Sequence, residues 1–139
     1  MNTKNFTLAG IAGGITFFML GWLVYGVILM DTMKSFAGSA TGVDRGEDML
    51  LWSIFLGNLA SGFLLSFIFT CLGTINNPTA GARAGFWIGL LMGAGFDFTM
   101  YGTSNISTLT GVLIDIVVFA FLTALTGAVV AWVIGKAKA

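Results

Sequence analysis

Four long apolar runs, residues 8–30, 49–73, 84–101 and 110–135, decide what this chain can fold into. A helix rises ~1.5 Å per residue, so each run reaches across a hydrocarbon layer of ~30 Å, the third only just. Lipid offers no partner for backbone N–H and C=O groups, and a segment immersed in it must bond internally as a helix. The ~10-residue alternation that marks the strands of a membrane barrel is not seen. The first run is 23 residues long, beyond the ~7–15 residues of a secretory apolar core, and it reads as a span rather than a cleaved leader. The expected architecture is all-α: one domain over residues 1–139, a polytopic membrane protein with four transmembrane helices in a compact, Gly-rich bundle.

Composition agrees with lipid as the solvent. Of 139 residues, 57% are hydrophobic and 9% charged, against about 25% charged in a soluble domain. Basic and acidic residues number six each, so no basic field points to nucleic acid. Histidine is absent and Cys71 is the single cysteine. That removes the commonest metal ligand, the usual near-neutral proton relay and any internal disulfide. A zinc site needs several N or S ligands. No metal, cofactor or enzymatic activity is expected. The bilayer is the first expected partner, with a second copy of the chain or a larger membrane complex after it.

The connections between runs differ in kind. Residues 31–48 form an 18-residue loop holding Asp31, Lys34, Asp44, Arg45, Glu47 and Asp48. Residues 74–83 form a turn segment with Asn76, Asn77 and the single proline, Pro78, and residues 102–109 a short uncharged loop. Four crossings put both termini and the second connection on one side, with Lys4, Arg83, Lys136 and Lys138. Lys34 and Arg45 lie on the other side amid four acids. The positive-inside bias makes the first side cytoplasmic. Asn5-Phe6-Thr7 and Asn105-Ile106-Ser107 match glycosylation sequons, but both stand at span ends and are read as chance.

Gly81, Gly85, Gly89 and Gly93 recur every four residues in the third run. Residues four apart share a helix face, so these positions form a shallow groove that lets another backbone approach closely. Gly10 and Gly14 repeat the device in the first run, and Gly127 lies in the fourth on a row with Gly111, Thr123, Ala131 and Gly135. Packing within the chain and contact between subunits both use such rows.

Asp97 and Asp115 are the only acidic or basic groups well inside the runs. Counted from the outer ends, Asp97 is ~7–8 Å deep and Asp115 ~10 Å. The third and fourth runs are antiparallel neighbours, so both acids fall in one outer layer. Tyr25 and Trp22 of the first run reach a similar depth, Asn58 of the second lies deeper, and Tyr101 and Asn105 stand at the outer end. An aspartate at the bilayer centre costs about 2.5–3.5 kcal/mol on insertion scales, and such groups face a bundle interior or a wet cavity. No lysine or arginine lies in a run to pair with them, so Lys34 or Arg45 would have to fold down from the long loop.

Three uses fit this layer: polar glue between helices, a proton or cation site in a small transporter or channel, and an outward-facing pocket for a lipid headgroup or small ligand. An acid pair can also serve hydrolysis, but the nucleophile–base pair and the metal ligands are missing. The leading expectation is a small integral membrane protein with a structural or accessory role, and the transporter is its rival.

Three stretches carry a likeness: LGWLVYGVILMDTMKSFAG at 20–38, GLLMGAGFDFTMYGTSN at 89–105 and STLTGVLIDIVVFAFLTALTGAVVAW at 107–132. They resemble the first, third and fourth spans of a family of small bacterial membrane proteins known only as a domain of unknown function. YGTSNISTL is also similar to a motif of a second uncharacterised four-helix family. The chain departs from the first family at Trp22-Leu23-Val24-Tyr25-Gly26, where Trp and Tyr are contiguous in members. It departs again at Val27, where proline is common, and at Ile116-Val117. The resemblance implies four helices and a bacterial inner membrane, and it brings no activity. Within the chain, Gly13, Tyr25 and Gly26 align with Gly89, Tyr101 and Gly102 at an offset of 76. A true duplication would give a pseudo-twofold axis along the membrane normal.

Overall fold

A computed structural model describes residues 2–138. It is all-α, with five helices: α1 (Thr3–Leu23), α2 (Met30–Ser35), α3 (Leu51–Leu72), α4 (Pro78–Thr103) and α5 (Leu109–Lys138). Caps rather than hydropathy set the limits of the long helices. The Asn2 side chain accepts the backbone N–H groups of Lys4 and Asn5 at the start of α1. Asn77 does the same for Ala80 at 2.9 Å, and Pro78 fills the first turn of α4, where no N–H is needed. Gly73, at φ +69°, closes α3 in the left-handed conformation that favours glycine.

These ends correct two expectations. The segment 74–83 is not wholly a turn, because its cap starts α4 at Pro78. The loop 31–48 is not wholly irregular, because it carries the short α2 and a 3₁₀ turn at Gly46–Asp48. Asp31 in the first turn of α2 and Lys34 in its last complement the helix dipole. Between α1 and α2 the chain makes one π-helical stretch, Val24–Ile28, with the Leu29 N–H donating to the Val24 carbonyl at 2.7 Å.

Among the described residues, three segments are long and apolar enough to cross a membrane: Thr3–Ile28, Leu51–Leu72 and Leu109–Ala137. They point to a multi-pass membrane protein. The 26 residues of α4 reach ~39 Å, but six of them are glycine, and Arg83 and Asp97 lower its hydropathy further.

The helices pack as α3 on α1, α1 on α5 and α5 on α4, with α3 touching α5 lightly. Contacting residues run in opposite order along each of the first three pairs. Gly10 meets Phe63 and Gly14 meets Leu59, Gly13 meets Val130 while Asn5 reaches Ala137, and Gly81 meets Gly127 while Gly89 meets Thr123. The long helices therefore stand in a bent row, α3–α1–α5–α4. A compact square, or a duplicated pair of hairpins, would need α3 to lie on α4 as α1 lies on α5, and no comparable contact exists. Bulky side chains, Leu64 on α3 and Ile88 and Met92 on α4, line a crevice between the two instead. The core sits where α1, α3 and α5 converge, around Phe17, Leu65, Phe69, Leu122, Val130 and Ile134. Phe17 also stacks on Phe119 at 6.2 Å.

Candidate functional site

The glycine rows position everything else. Gly81, Gly85, Gly89 and Gly93 are all buried, and all four face α5. A methyl group at Gly81 would fall on the Gly127 carbonyl, one at Gly85 on the Thr123 carbonyl, and one at Gly89 would lie 2.6 Å from Thr123 Cβ. Gly127 returns the contact against Gly81 and Gly85. On α1, Gly10 sits under the Phe63 ring and Gly14 lies against the Leu59 backbone. Lipid supplies little driving force for helix association, so this close backbone approach is what holds the row together.

With α4 drawn onto α5 and α5 onto α1, three polar groups converge from three elements. The Asp115 carboxyl on α5 adjoins both the Tyr25 hydroxyl and the Asp97 carboxyl on α4. Tyr25 belongs to the π-helical stretch. The wide turn changes the register of the helix face there, and such turns recur at functional sites. All three residues are half-buried. One carboxyl oxygen, Asp97 Oδ2, is buried and has no hydrogen-bond partner.

The outer connection is clasped to the short α4–α5 loop. The Gly38 N–H donates to the Ile106 carbonyl at 2.8 Å, the Ala40 N–H to Asn105 at 3.0 Å, and the Thr108 N–H to Phe36 at 2.9 Å. The Thr108 hydroxyl donates to the same Phe36 carbonyl at 3.1 Å. Gly38 is required there, since a methyl group would run into the Asn105 carbonyl. Lys34 and Arg45 stay exposed in this segment and do not fold down.

Other residues named from the sequence lie apart from the carboxyl cluster. Asn58 turns its amide to its own helix and donates to the Ile54 carbonyl at 2.7 Å. Trp22 is 60% exposed, and Tyr101 and Asn105 are exposed as well. Asn105 contributes its backbone carbonyl to the clasp, not its side chain.

Two interhelical bonds have no counterpart in the sequence reading. Buried Asn5 donates to the Ala137 carbonyl at 3.4 Å, and buried Ser66 donates to the Phe6 carbonyl at 2.7 Å. The available signal was a polar residue on an otherwise apolar helical face. An open cleft lies at the opposite end from the carboxyls, between the start of α1 and the end of α5. Among the described residues no three His, Cys, Asp or Glu side chains cluster to hold a metal ion.

No protein-family model, curated protein or solved structure matches the chain.

Proposed function

We propose that this chain is a four-span protein of a bacterial inner membrane, with a structural or accessory role, packing with copies of itself or within a larger membrane complex. The case for four crossings is topological. Both α3 and α5 run antiparallel to α1, so they run the same way, and the chain between them has to return across the layer. That return is α4. Lys4, Arg83, Lys136 and Lys138 then share one side, and the positive-inside bias makes it cytoplasmic. The kinship with small bacterial four-helix proteins read from the quoted motifs belongs to the same proposal.

The observation that carries the accessory role is that the polar layer closes on itself. Asp115 meets both Tyr25 and Asp97, and Gly81, Gly85, Gly89 and Gly93 of α4 are used within the chain. What faces outward on α4 is bulky and apolar, with Leu91 69% and Phe96 67% exposed, a surface suited to acyl chains or another helix. Gly57 on α3 is also open, with nothing near its missing Cβ, and it gives a neighbouring helix room for close approach. We assign the chain no enzymatic step.

One observation favours a second reading, a proton or cation site: the unpartnered Asp97 Oδ2 beside a second carboxyl. Proteoliposomes separate the two. Under the accessory reading, wild type moves neither protons nor small cations, Asp97→Asn assembles normally, and Gly89→Leu does not assemble. A wild-type flux that Asp115→Asn abolishes without loss of assembly hands the case to the carrier.

A further inference from the structure

The charges of this chain are segregated. All six acidic side chains belong to the outer half: Asp31, Asp44, Glu47 and Asp48 in the long connection, Asp97 and Asp115 just beneath it. The opposite end is cationic, and there the start of α1 and the end of α5 part to leave an open cleft of about 560 Å³. Lys4, Asn5 and Leu8 line it from α1 with the capping Asn2 before them, and Trp132 and Lys136 from α5. The Asn5 amide, bonded to the Ala137 carbonyl, ties the two walls together. The Lys136 ammonium lies 4.8 Å from the centre of the Trp132 ring, a cation–π contact that holds its charge at the cleft. Lys4 is exposed on the other wall.

The cleft is amphipathic along its depth. Lysines stand at its mouth, while Leu8 and Trp132, each 48% exposed, present apolar surface toward the span. Ile11 and Ile15 continue exposed apolar surface along α1. Tryptophan at the end of a span sits at headgroup level, and basic pockets between helices on the cytoplasmic side take anionic lipid headgroups. We propose that this cleft binds the phosphate of an anionic phospholipid, held between Lys4 and Lys136, with the acyl chains of the same lipid against Leu8 and Trp132. A free phosphate would satisfy the lysines and leave the apolar wall bare. A zwitterionic lipid brings its own cation into a site that already has two. The inference rests on the chain being embedded in a membrane and is independent of its accessory role.

The test is lipid retention. Protein purified in mild detergent is titrated with phosphatidylglycerol, phosphatidylcholine or inorganic phosphate, and bound lipid is counted by native mass spectrometry alongside thermal unfolding. Wild type should prefer phosphatidylglycerol, and Lys4→Gln with Lys136→Gln should lower that preference by roughly fivefold per lysine. Lys4→Arg with Lys136→Arg should retain it, and Leu8→Glu, which puts a carboxylate where the acyl chains lie, should abolish it. The control pair Lys34→Gln and Arg45→Gln, at the far end, should change nothing. A preference that survives loss of both cleft lysines, or falls equally in the control pair, overturns the proposal. Stabilisation by inorganic phosphate equal to that by phosphatidylglycerol reassigns the cleft to a free anion. A chain that stays monodisperse without detergent refutes the membrane reading itself, which is a separate outcome.

Discussion

Gly85 of α4 lies directly on the backbone carbonyl of Thr123 in α5, with no room between them for a methyl group. Gly95, ten residues on along the same helix, has nothing within 4 Å of where its Cβ would be. The two glycines therefore predict opposite effects of one substitution. Gly85→Ala should push the helices apart and cost about 1–3 kcal/mol, the usual range for overpacking. Gly95→Ala should gain about 0.5–1 kcal/mol, because alanine is the better helix former and meets no neighbour. Unfolding in detergent read by circular dichroism measures both, and a loss at Gly95 as large as at Gly85 would refute the assigned contact face.

That contrast marks how far the sequence could be read. The groove along Gly81, Gly85, Gly89 and Gly93 was visible because a period of four is a property of the helix alone. The shared depth of Asp97 and Asp115 followed from two antiparallel spans and a short loop, whereas the meeting of their carboxyls depends on how both helices are rotated. What could not be read depended on rotations and on partners distant in sequence. Asn58 has the depth to join the carboxyls, but a side-chain amide can satisfy itself on the preceding turn, and this one does. Trp22 has the depth as well, but its position on the helix turns it outward. The order α3–α1–α5–α4 within the bundle arises because the glycines of α1 and α4 admit α3 and α5, while bulky residues face one another across the crevice. The clasp between Gly38 and Ile106 is backbone pairing, which leaves little trace in side-chain pattern.

The carboxyl layer predicts an unequal pair of mutants. Asp115 touches both Tyr25 and Asp97, so Asp115→Ala removes two interhelical contacts, whereas Tyr25→Phe removes one. Polar contacts between membrane helices are worth about 0.6 kcal/mol on average and up to about 1.7. Tyr25→Phe should fall in that range and Asp115→Ala above it. Asp97→Asn should cost less than either, because its amide can donate to Asp115 and so keeps the contact between the two helices. A double-mutant cycle of Tyr25 and Asp115 should show that Tyr25→Phe costs almost nothing once Asp115 is alanine. Full additivity would place the two groups apart.

Thr126 is fully buried in α5, and its hydroxyl has no hydrogen-bond partner. A buried unpaired hydroxyl costs about 1–3 kcal/mol in protein mutational data. Valine keeps the branched shape and replaces the hydroxyl with a methyl. Thr126→Val should therefore raise the unfolding midpoint, with a gain of about 1 kcal/mol, while Thr123→Val should not. The Thr123 hydroxyl already donates to the Phe119 carbonyl at 2.8 Å. Parallel melts of the two variants decide this, and an equal response would mean that hydroxyl satisfaction is not what distinguishes the sites.

The clasp over the carboxyl layer should be visible as amide protection. Gly38, Ala40 and Thr108 donate N–H groups across it, to Ile106, Asn105 and Phe36, whereas residues 41–45 are all exposed. Hydrogen exchange by mass spectrometry on the reconstituted protein should therefore show slow amides at 38, 40 and 108 flanking fast ones at 41–45. Trypsin added on the outer side should cut after Arg45 and spare Lys34, which lies in α2 next to the clasp. Gly38→Val drives a side chain into the Asn105 carbonyl, so it should release all three amides and open Lys34 to cleavage. Protection across the α4–α5 contact at Gly85 should stay unchanged, because that packing lies deeper and does not depend on the loop. Equal exchange across 36–45 in wild type would show that the outer connection is not held to the α4–α5 turn, and Asp97 and Asp115 would then lie under an open surface.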